Sequence, residues 1–126
     1  MKTSAMNKIL IVDDDARNIF ALTATLKSKG FPCIAASDGN EAMAVLAQDD
    51  SIRLVLLDIM MPQTDGYELI EKIRNDIRFA NMPLIAVTAQ AMPGDREKCI
   101  EAGADGYISK PVDVEKMLAM INDHIN

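Results

Sequence analysis

Ile9-Leu10-Ile11-Val12-Asp13-Asp14-Asp15 joins four consecutive apolar side chains to three consecutive carboxylates. A strand with one wet face alternates polar and apolar residues. An unbroken apolar run predicts a strand covered on both faces, as in a parallel sheet. The pattern returns at Cys33-Ile34-Ala35-Ala36, Leu54-Val55-Leu56-Leu57 and Leu84-Ile85-Ala86-Val87, and more weakly at Tyr107-Ile108.

Segments with helical spacing lie between and after these runs. Ile19, Leu22 and Leu26 make one stripe, and Leu69, Ile70, Ile73 and Ile77 another. Val114, Met117, Leu118, Ile121 and Ile125 follow the i, i+3, i+4, i+7 template most closely. Asp38 with Glu41, and Asp65 with Glu68, have the spacing of helix starts in which the Asp caps a free N–H. Gly30 and Gly103 stand where helices should stop. The fourth helix, Asp95 to Ala102, has the poorest apolar stripe. Strand then helix, five times over, predicts an α/β fold: a flavodoxin-like, doubly wound five-stranded parallel sheet, (βα)5, in the order 2-1-3-4-5.

Length and composition agree. One domain over residues 1–126, with its core at about 7–125, accounts for the chain and leaves no room within it for an output domain. The formal net charge of -6 argues against direct nucleic-acid binding, which needs a Lys/Arg surface. Cys33 and Cys99 share no metal-ligand spacing and read as small buried hydrophobes in a reducing compartment. No apolar run approaches the ~18 residues of a membrane span, and the N-terminus lacks the apolar region of a secretory signal. A cytoplasmic protein is expected.

The chemistry lies after the strands. Asp13-Asp14-Asp15 follows the first, Asp58 ends the third, Thr88 the fourth, and Ser109-Lys110-Pro111 the fifth. In a parallel sheet these positions share the carboxyl edge, where such folds bind ligands. Crowded carboxylates repel, and a cation relieves the repulsion. Oxygen-only ligands with room for water suit Mg²⁺ or Mn²⁺ better than zinc. A carboxylate beside a hard cation can attack phosphorus, with Lys110 as a second positive charge and the Thr88 hydroxyl within reach of a phosphoryl oxygen. The ordinary alternative for an acidic run is a solvated face. Asp15 is the member expected at the surface or as a helix cap, and His124 is expected to be solvated.

Ile9-Leu10-Ile11-Val12-Asp13-Asp14-Asp15, Leu57-Asp58-Ile59-Met60-Met61-Pro62 with Asp65-Gly66, Val87-Thr88-Ala89 and Tyr107-Ile108-Ser109-Lys110-Pro111 together resemble the receiver domain of bacterial two-component response regulators. The resemblance implies a phosphoacceptor in a phosphorelay, not a conventional enzyme. It would take a phosphoryl group onto Asp58 from a phosphohistidine on a histidine kinase or histidine phosphotransfer domain. It implies direct Mg²⁺ ligation by Asp14, Asp58 and the Met60 backbone carbonyl, with Asp13 acting largely through water. It further implies Thr88 and Lys110 as the signalling pair, Tyr107 as a ring that reorients, and a cis Lys110–Pro111 peptide. Phosphorylation would alter the surface of the fourth helix, fifth strand and fifth helix, in a monomer or a weak phosphorylation-dependent dimer. Asn18 with Thr88-Ala89-Gln90-Ala91-Met92 resembles hybrid-kinase or stand-alone relay receivers more than gene-regulating ones. Met60 and Gln90 would border the path of a hydrolytic water.

Three other readings compete. An aspartate-nucleophile phosphatase of the haloacid dehalogenase type needs a second Asp two residues after the nucleophile, where this chain has Met60. A histidine phosphotransfer module would be all-helical around an exposed mid-helix histidine. A degenerate receiver, binding partners without phosphorylation, would not need Asp13, Asp14, Asp58, Thr88 and Lys110 all intact.

Overall fold

The computed structural model describes residues 7–89 and 93–125. The five apolar runs form β1 (Lys8–Val12), β2 (Cys33–Ala36), β3 (Ile52–Asp58), β6 (Leu84–Thr88) and β7 (Gly106–Ser109); a short antiparallel ribbon, β4 (Met60–Met61) with β5 (Thr64–Asp65), follows β3. The main sheet is parallel in the order β2-β1-β3-β6-β7, which is the expected 2-1-3-4-5 once the ribbon is set aside. Helices α1 (Ala16–Ser28), α2 (Gly39–Gln48), α3 (Gly66–Asn75), α4 (Asp95–Ala102) and α5 (Val114–Ile125) cover both faces.

Each strand sends alternate side chains to opposite faces, so the apolar runs feed two cores. Leu10, Val12, Val55, Leu57, Leu84 and Ala86 pack with Leu46 of α2, Leu69, Ile70 and Ile73 of α3, and Cys99 of α4. Ile9, Ile11, Leu54, Leu56, Ile85 and Ile108 meet Leu26 of α1 and Met117 and Ile121 of α5. With both faces filled, ligands have access only at the ends of the strands.

Local sequence sets where the helices begin. Asp15, Asp38 and Asp65 occupy the N-cap positions of α1, α2 and α3, accepting from Arg17 N, Glu41 N and Tyr67 N. Glu41 in turn reaches back past the cap, its Oε1 accepting from Ser37 N at 2.7 Å. Gly30 and Gly103 follow α1 and α4 with φ of 90° and 125°, backbone that favours glycine.

Two expectations are corrected. Ile77 does not continue the α3 stripe: it is 92% exposed and lies beyond the helix. Asp76 accepts from the backbone N–H of Arg78 at 3.0 Å and pairs with its guanidinium, which turns the chain out, and Phe79 is buried instead. His124 is half-buried, not freely solvated, with Nδ1 donating to the Met120 carbonyl at 2.8 Å.

Gly66 fixes the loop that carries the acidic edge. A Cβ there would fall 2.6 Å from Ile59 Cα and 2.9 Å from the Ile59 carbonyl oxygen, both backbone atoms that cannot yield cheaply. Gly66→Ala should therefore destabilise the fold by ~1–3 kcal/mol. Thermal unfolding followed by circular dichroism should show a midpoint lowered by roughly 5–10 °C; an unchanged midpoint would contradict this packing.

Candidate functional site

The strand register assembles the site. Val12 lies opposite Leu57, Asp58 opposite Val87, and Thr88 opposite Ser109. Asp13, Asp58, Thr88 and Lys110 are therefore delivered to one edge by four neighbouring strands. Asp13 and Asp58 are buried, at 2% and 6% exposure, and Thr88 is buried beside them. Asp14 is exposed. Of the three consecutive acids, Asp15 is the cap and Asp14 is the one open to solvent.

Each buried carboxylate is held by one oxygen and presents the other. Asp58 Oδ1 accepts from Met60 N at 3.0 Å, while Oδ2 lies 3.4 Å from Lys110 Nζ. Asp13 Oδ1 accepts from Asp15 N at 2.9 Å, while Oδ2 lies 3.6 Å from the same Nζ. Lys110 is positioned by its backbone, whose N–H donates to the Thr88 carbonyl at 2.7 Å. The Lys110–Pro111 peptide is cis, as the resemblance implies. Ligand oxygens of Asp13, Asp14 and Asp58 all lie within 4.8 Å of one another. Three carboxylates at that spacing, open to water at Asp14, fit a hard divalent cation that keeps part of its hydration shell.

Burial pushes the Asp58 carboxyl above the ordinary carboxylate range; the Met60 N–H and the Lys110 charge oppose the shift, and the Asp13 charge adds to it.

Of the other expected residues, Tyr107 is half-buried on β7, with its hydroxyl donating to Asp95 Oδ2 at 3.0 Å. Met60 has an exposed side chain on β4. Gln90, expected beside the path of a hydrolytic water, lies outside the described residues. Sequence reasoning passed over Tyr67 and Asp95, which meet near Tyr107, and an apolar groove beside Lys110 lined by Asn18, Ala21, Leu22, Thr25 and Pro111. Phe20, off the α1 stripe, is 78% exposed and does not line that groove.

The sequence model described as "Response regulator receiver domain" matches residues 9–122. The chain belongs to the receiver-domain family of response regulators. It is 40% identical over 116 residues to the transcriptional regulatory protein CpxR of Escherichia coli, covering 92% of this chain and 48% of that protein. It is 39% identical over 107 residues to the sensor histidine kinase RcsC of Salmonella typhimurium, covering 85% of this chain and 11% of that protein. It thus spans about half the length, or less, of these curated relatives. Because a transcriptional regulator and a sensor kinase match at nearly equal identity, the comparisons favour neither subfamily. The crystal structure of a response regulator receiver protein from Pseudomonas putida superposes with a TM-score of 0.89 at 31% identity, covering 96% of this chain and 99% of that one. Receivers are signalling switches whose acidic pockets bind Mg²⁺ and whose partners are histidine kinases or phosphotransfer proteins. Among the described residues, no helix is long and apolar enough to cross a membrane.

The raised Asp58 carboxyl has a consequence for stability. The folded chain holds that proton more tightly than the unfolded chain. The contribution favours the fold below the unfolded carboxylate value and is lost as pH rises through the folded one. Without metal, the Asp58 charge therefore works against folding wherever the group is ionised. Asp58→Asn should raise the metal-free melting midpoint at pH 7 by a few degrees, with the gain shrinking toward pH 4. A midpoint at or below that of the parent at pH 7 would refute the electrostatic account.

Proposed function

We propose that this receiver accepts a phosphoryl group on Asp58 in a Mg²⁺-dependent reaction with a phosphohistidine donor. One juxtaposition carries the reading: Asp13, Asp14 and Asp58 present oxygens within 4.8 Å of one another, with the Lys110 ammonium 3.4 Å from the acceptor carboxylate.

The chemistry follows from these positions. Asp58 Oδ2 attacks phosphorus as the bond between phosphorus and the imidazole nitrogen breaks, and the imidazole leaves, taking a proton from solvent. The attacking form is the Asp58 carboxylate, which the Lys110 charge and a bound cation would favour, so the step needs no general base. Lys110 faces the incoming phosphoryl oxygens, and the Thr88 hydroxyl approaches them from the end of β6. Asp14 and Asp58, with the Met60 carbonyl, would hold the metal directly, and Asp13 largely through water. The bound cation supplies charge neutralisation for the phosphoryl oxygens in the transition state. Tyr107 and Thr88 would then pass the change to the surface of α4, β7 and α5. We read the chain as cytoplasmic: Cys33 and Cys99 are unpaired, and burial pushes both thiols up to about 11, so neither is a reactive centre.

The donor needs a place to dock. The apolar groove between α1 and the segment after β7 encloses about 550 Å³ and reaches Ala89 and Lys110 at the rim of the acidic site. An amphipathic helix laid along it would bring a histidine side chain to Asp58. The kinase or phosphotransfer helix is the occupant that reaction requires.

Two tests follow. Incubation with a small acyl-phosphate donor and Mg²⁺ should add one phosphoryl group by intact mass. The adduct should be absent from Asp58→Asn, absent under chelation, and formed about tenfold or more slowly in Asp14→Ala, a barrier change of ~1.4 kcal/mol or more. An undiminished adduct in Asp58→Asn, or full rate without divalent metal, would overturn the reading. Separately, Ala21→Glu places a charge in the groove. It should slow transfer from a phosphohistidine donor about tenfold more than transfer from the small donor; equal slowing of both would move the docking face elsewhere.

A further inference from the structure

Helix α4 has little apolar anchoring, as has α1, which also buries a single side chain, Leu26. The eight residues of α4 bury only Cys99. Unlike α1, α2 and α3, it starts without a side-chain cap, at Gly94 in left-handed backbone. Its two ends are held by polar contacts instead. At the C-terminal end, Arg74 of α3 donates from Nε to the Gly103 carbonyl at 2.8 Å and pairs with Asp105. At the N-terminal end there is Asp95.

The Asp95 carboxylate is divided between two phenols. Oδ1 accepts from the Tyr67 hydroxyl of α3, and Oδ2 from the Tyr107 hydroxyl of β7 at 3.0 Å. One turn further along α4, the Lys98 ammonium lies 4.4 Å from the centre of the Tyr67 ring. Tyr107 is three residues before Lys110, and the neighbouring Ser109 is opposite Thr88, so the latch is tied through β7 to the phosphorylation edge.

Resting on the phosphoacceptor reading above, we propose that Asp95 is a positioning residue that couples this edge to α4. Its carboxylate latches the start of α4 to Tyr107 and Tyr67 together, and withdrawal of the Tyr107 hydroxyl opens half of the latch while Tyr67 retains the other half as a pivot. The two bonds differ in what they respond to. Tyr107 belongs to the strand that leads into Lys110, whereas Tyr67 is on α3, whose Leu69, Ile70 and Ile73 are buried in the core. A movement at the site therefore breaks one bond and spares the other. The plainer account is that Asp95 only favours the helix N-terminus through the macrodipole; that account gives the two hydroxyls no part.

Hydrogen exchange on the unphosphorylated full chain, without metal, separates the two. Tyr107→Phe and Tyr67→Phe remove one hydroxyl each and keep the ring. Each should speed exchange across α4 by about tenfold, since each removes a hydrogen bond to a charged acceptor. Asp95→Ala should speed it further, and in that background neither Phe substitution should add anything. Unchanged α4 exchange in both Phe variants, or full additivity with Asp95→Ala, would overturn the latch.

A spectroscopic arm reads the same contact. The chain has two tyrosines and no tryptophan, so tyrosinate absorbance reports these residues alone. Burial first, and then the Asp95 carboxylate, push Tyr107 up to about 12 and raise Tyr67 as well. Asp95→Ala should bring tyrosinate formation to lower pH than in the parent protein, and an identical titration would count against the proposal. Finally, beryllofluoride with Mg²⁺ should make parent α4 exchange as Tyr107→Phe does without it. If the phosphoacceptor reading is wrong, the mimic leaves exchange unchanged throughout the chain. If only the latch is wrong, the mimic protects the loop after Asp58 while α4 behaves identically in parent and Tyr107→Phe.

Discussion

Asp13 and Asp58 are two buried carboxylates with one ammonium between them, and much of the molecule serves to hold that shortage of positive charge in place. At the 4.8 Å limit of the cluster, a pair of like charges repels by roughly 3 kcal/mol at an effective dielectric of ~20. Lys110 offsets part of this for both carboxylates, and Asp14 restores the deficit from the solvent side. The arrangement survives because the backbone gives the acids little freedom. Parallel pairing aligns β1 and β3, Met60 N and Asp15 N each restrain one carboxylate oxygen, and the Thr88 carbonyl fixes the Lys110 backbone. A site strained by its own charge, with one acid open to water, is prepared for a small divalent cation.

The sheet supplies rigidity, and the helices differ in how much of it they share. Helix α3 buries Leu69, Ile70 and Ile73, whereas α4 buries only Cys99. A signalling element has to be able to change place without unfolding its neighbours, so it is drawn from the weakly anchored end of that range. If α4 is that element, as the proposed function has it, polar contacts at both its ends would suit this need. A hydrogen bond to a carboxylate is directional and is lost within a fraction of an ångström, whereas apolar packing yields gradually.

Most of the fold was legible because its signals are local. Four consecutive apolar residues identify a strand covered on both faces whatever follows, and Asp38 with Glu41 caps a helix within its own turn. The acidic site was legible because parallel strands have only one carboxyl edge, so Asp13, Asp58, Thr88 and Lys110 had one place to meet. What escaped depends on partners distant in the chain. Ile77 fits the α3 period, but Asp76 bonds to Arg78 and ends the helix before that residue can reach the core. Asp95 reads as an ordinary acid at a helix start; only the approach of α3 and β7 gives its two oxygens separate donors. The groove beside α1 likewise requires α1 and the segment after β7 to be placed before it exists.

Length and burial together set Lys110 apart: the Arg17–Asp15 pair is as long, at 3.5 Å, but its guanidinium is exposed, and the other pairs are short. Lys8 meets Asp49 at 2.6 Å, Arg74 meets Asp105 at 2.7 Å and Arg78 meets Asp76 at 2.8 Å, all at close contact for charged groups. Lys110 instead lies 3.4 Å from Asp58 and 3.6 Å from Asp13, near both and tight to neither. An arginine there would form a planar fork with one carboxylate and occupy the oxygen that would attack in the proposed reaction. A lysine is a compact charge on a flexible stem, so it can stabilise two acids before the reaction and follow the new oxygens afterwards. Under the proposed function, the loose geometry of Lys110 would let one side chain serve both the free and the phosphorylated state.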